Sequence, residues 1–216
     1  WARFLIWFVR GLTGMVCRVN KDEFAHIPMT GPMILAANHV NFLDAPTMFT
    51  HLQPRPMTGF AKVESWRNFV FGLLFNAWEI IPIRRGEVDL VAFDKAKKAL
   101  AEGKMLAISP EGTRSGSGVL QKGHQGIVLL ALRANSPIQA LAYYGHENFW
   151  KNFRHLRRSD FIIKAGRVFK LNPGNERLNP EVRQQMLDEI MYQIAALMPE
   201  KYRGVYSDMS KATTQY

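Results

Sequence analysis

The chain has 216 residues, 47% of them apolar, which is enough for a full core and fits one domain. Lys and Arg (28) outnumber Asp and Glu (18) for a net charge of +10, so the partner is expected to be anionic: nucleic acid, anionic lipid or an anionic small substrate. The single Cys17 excludes an internal disulfide and a cysteine-based zinc cluster, and a reducing cytoplasmic setting is the simplest fit.

The chain opens at Trp1, which reads as a trimmed N-terminus, and no signal-peptide cleavage pattern is visible. Residues 1–19 are nearly all apolar apart from Arg3, Arg10 and Arg18. On one helix these arginines would fall within roughly 80° of one another. Trp1, Phe4, Leu5, Trp7, Phe8, Leu12 and Val16 would cover the rest. A charged stripe opposite a wide aromatic face predicts a helix lying in a membrane–water interface, not one spanning it. An ordinary amphipathic helix packed on the domain has the same pattern. The expected layout is a membrane-associating helix over 1–22, a catalytic-size domain over 23–206 and a loose polar tail over 207–216.

Beyond it, Met33–Ala37 reads as a buried strand and Asp44–Leu52 as a short helix, with Asp44 a candidate N-cap and Pro46 in the first turn. Phe60–Lys62 is a short strand, Trp66–Trp78 an apolar helix, and Glu79–Ile83 a strand ending at Arg84-Arg85-Gly86. Asp89–Glu102 has helical period through Leu90, Phe93, Ala96, Lys97 and Leu100, with Gly103 as its stop. Met105–Ile108 is strand, Gly123–Asn135 helix and Ile138–Tyr144 strand. Phe161–Lys164 and Arg167–Leu171 read as a strand pair about Ala165-Gly166, and Asn179-Pro180 opens a helix to Met198. Strands alternating with helices predict an α/β domain, a layered sheet flanked by helices.

Two polar turns follow two of these strands. Asn38-His39-Val40-Asn41-Phe42-Leu43-Asp44 places a histidine and a carboxylate after the first, and Ser109-Pro110-Glu111-Gly112-Thr113-Arg114-Ser115 follows the second. Such strand-end turns are where α/β proteins build sites. An imidazole titrating near neutrality beside a carboxylate can take a proton from a hydroxyl, and arginine suits an anion. The other histidines (His26, His51, His124, His146, His155) show no metal-ligand spacing and receive no role. The basic and aromatic run 149–158 fits a solvated loop, a second membrane contact or a site for a phosphorylated donor.

These residues resemble the glycerolipid acyltransferases, specifically the 1-acyl-sn-glycerol-3-phosphate acyltransferases. Asn38-His39 through Asp44 is similar to that family's first motif and Pro110 to Ser115 to its third. Ala61-Lys62-Val63-Glu64 resembles its lysine segment, Ile81 to Gly86 its second motif, and Gln121-Lys122-Gly123 its Lys-Gly turn. Order and spacing agree over about residues 30–145. Asn41 stands where the family often has serine, Ser109 where phenylalanine is common, and Ile138-Gln139-Ala140-Leu141 lacks the fourth motif's proline.

The resemblance implies a glycerol-3-phosphate acyltransferase-like fold. It also implies transfer of an acyl group from acyl-CoA or acyl carrier protein to the sn-2 hydroxyl of lysophosphatidic acid, giving phosphatidic acid; another lysolipid or glycerol-3-phosphate is the alternative acceptor. His39 would be the general base and Asp44 would hold its tautomer, with no protein nucleophile because the acceptor brings the hydroxyl. Glu111 would bind the acceptor's glycerol portion, and Arg85 and Arg114 its phosphate. Gly112 and Thr113 would border the acceptor, with a nearby N–H steadying the oxyanion. Lys62 and Lys122 are either further phosphate contacts or solvated. The resemblance implies no metal and no organic cofactor, no nucleic acid, and a membrane-associated enzyme on the cytoplasmic face. Trp66–Trp78 is a candidate wall for the acyl channel.

Overall fold

A computed structural model describes residues 2–84 and 89–216, the side chains of Ala2 and Arg3 excepted. Arg85, assigned above to phosphate binding, lies outside the described residues, as does Trp1. The strands are β1 (Cys17–Val19), β2 (Met33–Ala37), β3 (Met57–Lys62), β4 (Ile81–Ile83), β5 (Met105–Ile108), β6 (Ile138–Tyr144) and β7 (Ser159–Phe169). They form one sheet in the order β1-β7-β6-β2-β5-β3-β4. Strands β6, β2, β5, β3 and β4 run parallel, β7 is antiparallel to β6, and β1 runs with β7. The sheet is therefore mixed.

Helices cover both faces. On one side lie α1 (Ala2–Val16), α2 (Asp44–His51) and α3 (Phe69–Ala77), together with Phe149 of α6 (Phe149–Arg154). On the other lie α4 (Leu90–Ala101), α5 (Gly126–Ala134) and α7 (Pro180–Ala196). This double cover explains why β2 is apolar at every position: Ile34 and Ala36 enter one core, and Met33, Leu35 and Ala37 the other. The apolar runs read as strands at 33–37, 105–108 and 138–144 have those same bounds.

Several expectations change. Helix α1 ends at Val16, so Arg18 leaves the helical stripe and pairs with Asp160 at 2.6 Å across the β1–β7 edge. Leu5, Val9 and Val16 pack on the core while Phe4, Trp7, Phe8, Leu12 and Met15 stay exposed. Among the described residues no helix is long and apolar enough to cross a membrane. The helix expected over 66–78 is interrupted, because the Asn68 side chain accepts from the Phe71 N–H and caps α3 afresh after a 3₁₀ turn over Val63–Arg67. Asp89 and Asn179 cap α4 and α7 in the same way. The expected strand pair near 165 is one strand: β7 accommodates an extra residue opposite Gln139–Leu141, so Gly166 marks a bulge and not a hairpin. The tail is docked, with the Thr213 hydroxyl and the Gln215 and Tyr216 N–H groups donating to the buried Glu189 carboxylate at 2.7, 2.6 and 3.1 Å.

Candidate active site

Because β6, β2 and β5 are adjacent and parallel, the segments leaving their C-terminal ends meet at one edge of the sheet. The first link is Asn38, which is buried at the end of β2. Its amide donates to the Tyr143 carbonyl at 2.8 Å and accepts from the Tyr143 N–H at 2.7 Å. A side chain thus prolongs the β2–β6 pairing and fixes where the chain turns away.

The turn then closes on Asp44. This residue is the first of α2 and not its N-cap, the place of Leu43; its carboxylate folds back over the turn instead. Oδ2 accepts from His39 Nδ1 at 2.6 Å, from the Val40 N–H at 2.8 Å and from the Asn41 N–H at 3.0 Å. Burial raises the carboxyl pKa, but hydrogen bonds from His146 and His39 outweigh it and hold Asp44 below the ordinary carboxylate range. A carboxylate on Nδ1 fixes the His39 proton there and leaves Nε2 as the free base. The His39 side chain is 24% exposed and lines a cavity.

Glu111 stands directly behind. It is buried; one oxygen accepts from the His39 N–H at 2.7 Å and the other from the Gln121 N–H at 2.8 Å. Desolvation pushes its carboxyl up to about 7, assisted by the Asp44 charge and opposed by those two donors. The following turn requires Gly112 at φ 68°, and its Ser115 and Gly116 N–H groups donate to the carbonyls of His39 and Val40 at 2.8 and 3.0 Å. Residues 109–116 are therefore laced to the histidine turn by backbone bonds. Gly112, Thr113, Arg114, Lys62 and Lys122 are all exposed, Arg114 in this turn and Lys62 at the end of β3.

A cavity of about 370 Å³ is lined by His39, Ser109 and Gly112 and by apolar side chains from both faces of the sheet, Phe49 and Trp78 on one and Phe60, Ala92, Phe93 and Leu130 on the other. Of the segment 66–78 proposed as its wall, Phe75 and Trp78 line it. Apolar depth behind a polar mouth suits a ligand with a hydrocarbon tail and a reactive head. Among the described residues no group of three or more His, Cys, Asp and Glu side chains could hold a metal ion.

One residue escaped the reading of the sequence. His146, fully buried in the turn after β6, places Nε2 2.6 Å from Asp44 Oδ1. It follows an apolar strand, as the other two polar turns do, and this was the signal available for it.

A family model described as Acyltransferase matches residues 18–144. The chain belongs to the acyltransferase family. A 1-acyl-sn-glycerol-3-phosphate acyltransferase of Bacillus subtilis (strain 168) is 26% identical over 137 residues, 63% of this chain and 66% of that protein. One from Borreliella burgdorferi is 26% identical over 141 residues, 64% of this chain and 55% of its own. A lyso-ornithine lipid O-acyltransferase of Pseudomonas aeruginosa is 31% identical over 112 residues, 51% of this chain and 42% of that protein. The acyltransferase chain thus spans less than two thirds of the length of these relatives. In structure it is similar to the 1-acyl-sn-glycerophosphate (LPA) acyltransferase of Thermotoga maritima, with a TM-score of 0.61 at 14% identity over 88% of this chain and 78% of that one. That likeness establishes the α/β fold with a mixed sheet between helical layers.

Proposed function

We propose that this acyltransferase moves a fatty acyl group from acyl-CoA or acyl carrier protein to the sn-2 hydroxyl of lysophosphatidic acid, giving phosphatidic acid. The carrying observation is the His39–Asp44 pair at 2.6 Å, with His39 lining an apolar cavity of about 370 Å³. His39 Nε2 takes the proton of the acceptor hydroxyl as the oxygen attacks the thioester carbonyl. The tetrahedral oxyanion collapses, the carbon–sulfur bond breaks, and the departing thiolate takes the proton back from the imidazolium. Asp44 stabilises that cation between the two proton transfers. The reaction consumes no metal or organic cofactor.

Arg114 and Arg85 serve the acceptor's phosphate, with Lys62 and Lys122 as further phosphate contacts. Gly112 and Thr113 border the acceptor. In place of binding the acceptor's glycerol portion, the buried Glu111, whose two oxygens accept from backbone N–H groups, fixes the His39 backbone. The cavity takes the acyl chain. Helix α1 lies on the membrane surface at the cytoplasmic face: Phe4, Trp7, Phe8 and Met15 are exposed and lie within roughly 100° on the helix. A different lysolipid acceptor is the second reading, favoured by the lyso-ornithine lipid relative and by the absent proline in Ile138–Leu141.

The test is thiol release from acyl-CoA with lysophosphatidic acid, run beside lyso-ornithine lipid as acceptor. His39→Ala is expected to lower kcat/KM by on the order of 10³-fold or more. Equal rates in parent and variant would remove the general-base assignment, and turnover only with the second acceptor would move the substrate.

A further inference from the structure

The two oxygens of Asp44 are held unequally. Oδ2 has three donors, His39 Nδ1 and the N–H groups of Val40 and Asn41. Oδ1 has a single donor among the described residues, His146 Nε2 at 2.6 Å. A buried carboxylate with one bare oxygen would rotate or draw a proton to cover it. His146 thus decides whether the carboxylate stays ionised and in plane with His39.

The build around His146 supports this. Gly145 adopts φ 95°, and a Cβ there would come within 2.8 Å of the Asp160 carbonyl, so the turn that aims residue 146 inward needs glycine. The imidazole stacks on Phe161 with ring centroids 4.0 Å apart and planes 19° apart, which fixes its orientation. The His146 carbonyl accepts from the Asn41 amide at 3.0 Å, and the Asn41 oxygen accepts from the Leu43 N–H at 2.9 Å. One residue therefore grips both the carboxylate and the turn that carries it.

The protonation state follows from the contacts. Asp44 Oδ1 only accepts, so Nε2 carries the hydrogen. Nδ1 is buried without a partner among the described residues, and a second proton there would have no acceptor. His146 accordingly donates to Asp44 through Nε2 and has no second partner at Nδ1 among the described residues.

We propose that His146 is a positioning residue for acyl transfer: it acts through Asp44 to hold His39 in the tautomer and plane that leave Nε2 basic. This rests on the reading of His39 as the general base. The other titratable groups facing the Asp44 carboxylate are Glu111 and Tyr143, and Asp160 and Glu147 lie beside residue 146.

The experiment compares His146→Gln, which can still present a side-chain N–H to Oδ1, with His146→Phe, which keeps the stacking and loses the donor. Both are first checked for folding by thermal denaturation, and His39→Ala is run alongside. With acyl-CoA and lysophosphatidic acid, His146→Phe is expected to lose on the order of 10²-fold in kcat with little change in KM. The acid limb of its pH profile should move to lower pH, because an Asp44 that has rotated away or taken up a proton no longer stabilises the His39 cation. His146→Gln is expected to restore kcat to within about fivefold of the parent and return the limb to its place. In ¹⁵N-histidine spectra, which need no turnover, the His39 signals should shift in His146→Phe and stay put in His146→Gln. A folded His146→Phe protein with parental His39 signals overturns the proposal. So does a glutamine variant as impaired as the phenylalanine one, since the hydrogen bond would then not be what matters. Loss of His39 dependence in the parent would instead overturn the general-base reading, while the spectra still judge the His146–Asp44–His39 linkage.

Discussion

Glu111→Gln separates the effect of a buried charge from that of its hydrogen bonds. In the folded chain burial pushes this carboxyl up to about 7 from an ordinary 4.5, with the Gln121 and His39 N–H groups pulling the other way. Between those values the folded state holds a proton that the unfolded chain has released, so stability falls as pH rises through the window. The gap is roughly 2.5 pH units (from 4.5 to 7). At about 1.4 kcal/mol per unit it amounts to about 3 kcal/mol, of which about 2–3 kcal/mol is expressed between about pH 5 and about pH 8. Glutamine has no proton to lose. It turns one oxygen into a donor facing a backbone N–H, which costs about 1–3 kcal/mol at every pH. Glu111→Gln should therefore be less stable than the parent near pH 5, with the deficit shrinking by about 2–3 kcal/mol towards pH 8. Urea unfolding of both chains, followed by tryptophan fluorescence at fixed ionic strength, measures this, because other titrating groups cancel in the difference. A difference that stays constant across the pH range to within about 0.5 kcal/mol would refute the reasoning.

Asp44→Asn should lower kcat/KM by on the order of 10³- to 10⁴-fold and destabilise the fold by about 1–3 kcal/mol, since an amide cannot satisfy four donors; acyl-transfer kinetics and chemical denaturation check the two parts. Ala92→Leu narrows the cavity wall and should shift preference to shorter acyl chains. Each methylene displaced from the cavity is worth about 0.8 kcal/mol, or roughly fourfold in kcat/KM, across a series of acyl-CoA lengths. Replacing Phe4, Trp7 and Phe8 together with serine should reduce sedimentation with anionic vesicles about tenfold or more while leaving melting temperature unchanged, as these side chains stay exposed.

What could be read from the residues was local or ordered along the chain. The strands at 33–37, 105–108 and 138–144 were visible because both sheet faces are covered, leaving unbroken apolar runs. The His39–Asp44 pair was visible because only four residues separate its members on one turn. His146 lies 102 residues from Asp44, and only the adjacency of β2 and β6 brings them together. The state of Glu111 was equally hidden, since burial and two distant N–H groups set it. Gly166 reads as a turn residue until the register of β6 and β7 is known, and the tail reads as loose until Glu189 is seen to accept from it.

The Asn38–Tyr143 pairing has a consequence for motion. An amide side chain that exchanges two hydrogen bonds with a backbone unit behaves as one more rung of the β2–β6 ladder. Fraying of the sheet then begins beyond Asn38, at the histidine itself and not ahead of it. Amide hydrogen exchange at Tyr143 should be as slow as at Leu141, so His39 is mounted directly on a protected end of the β2–β6 ladder.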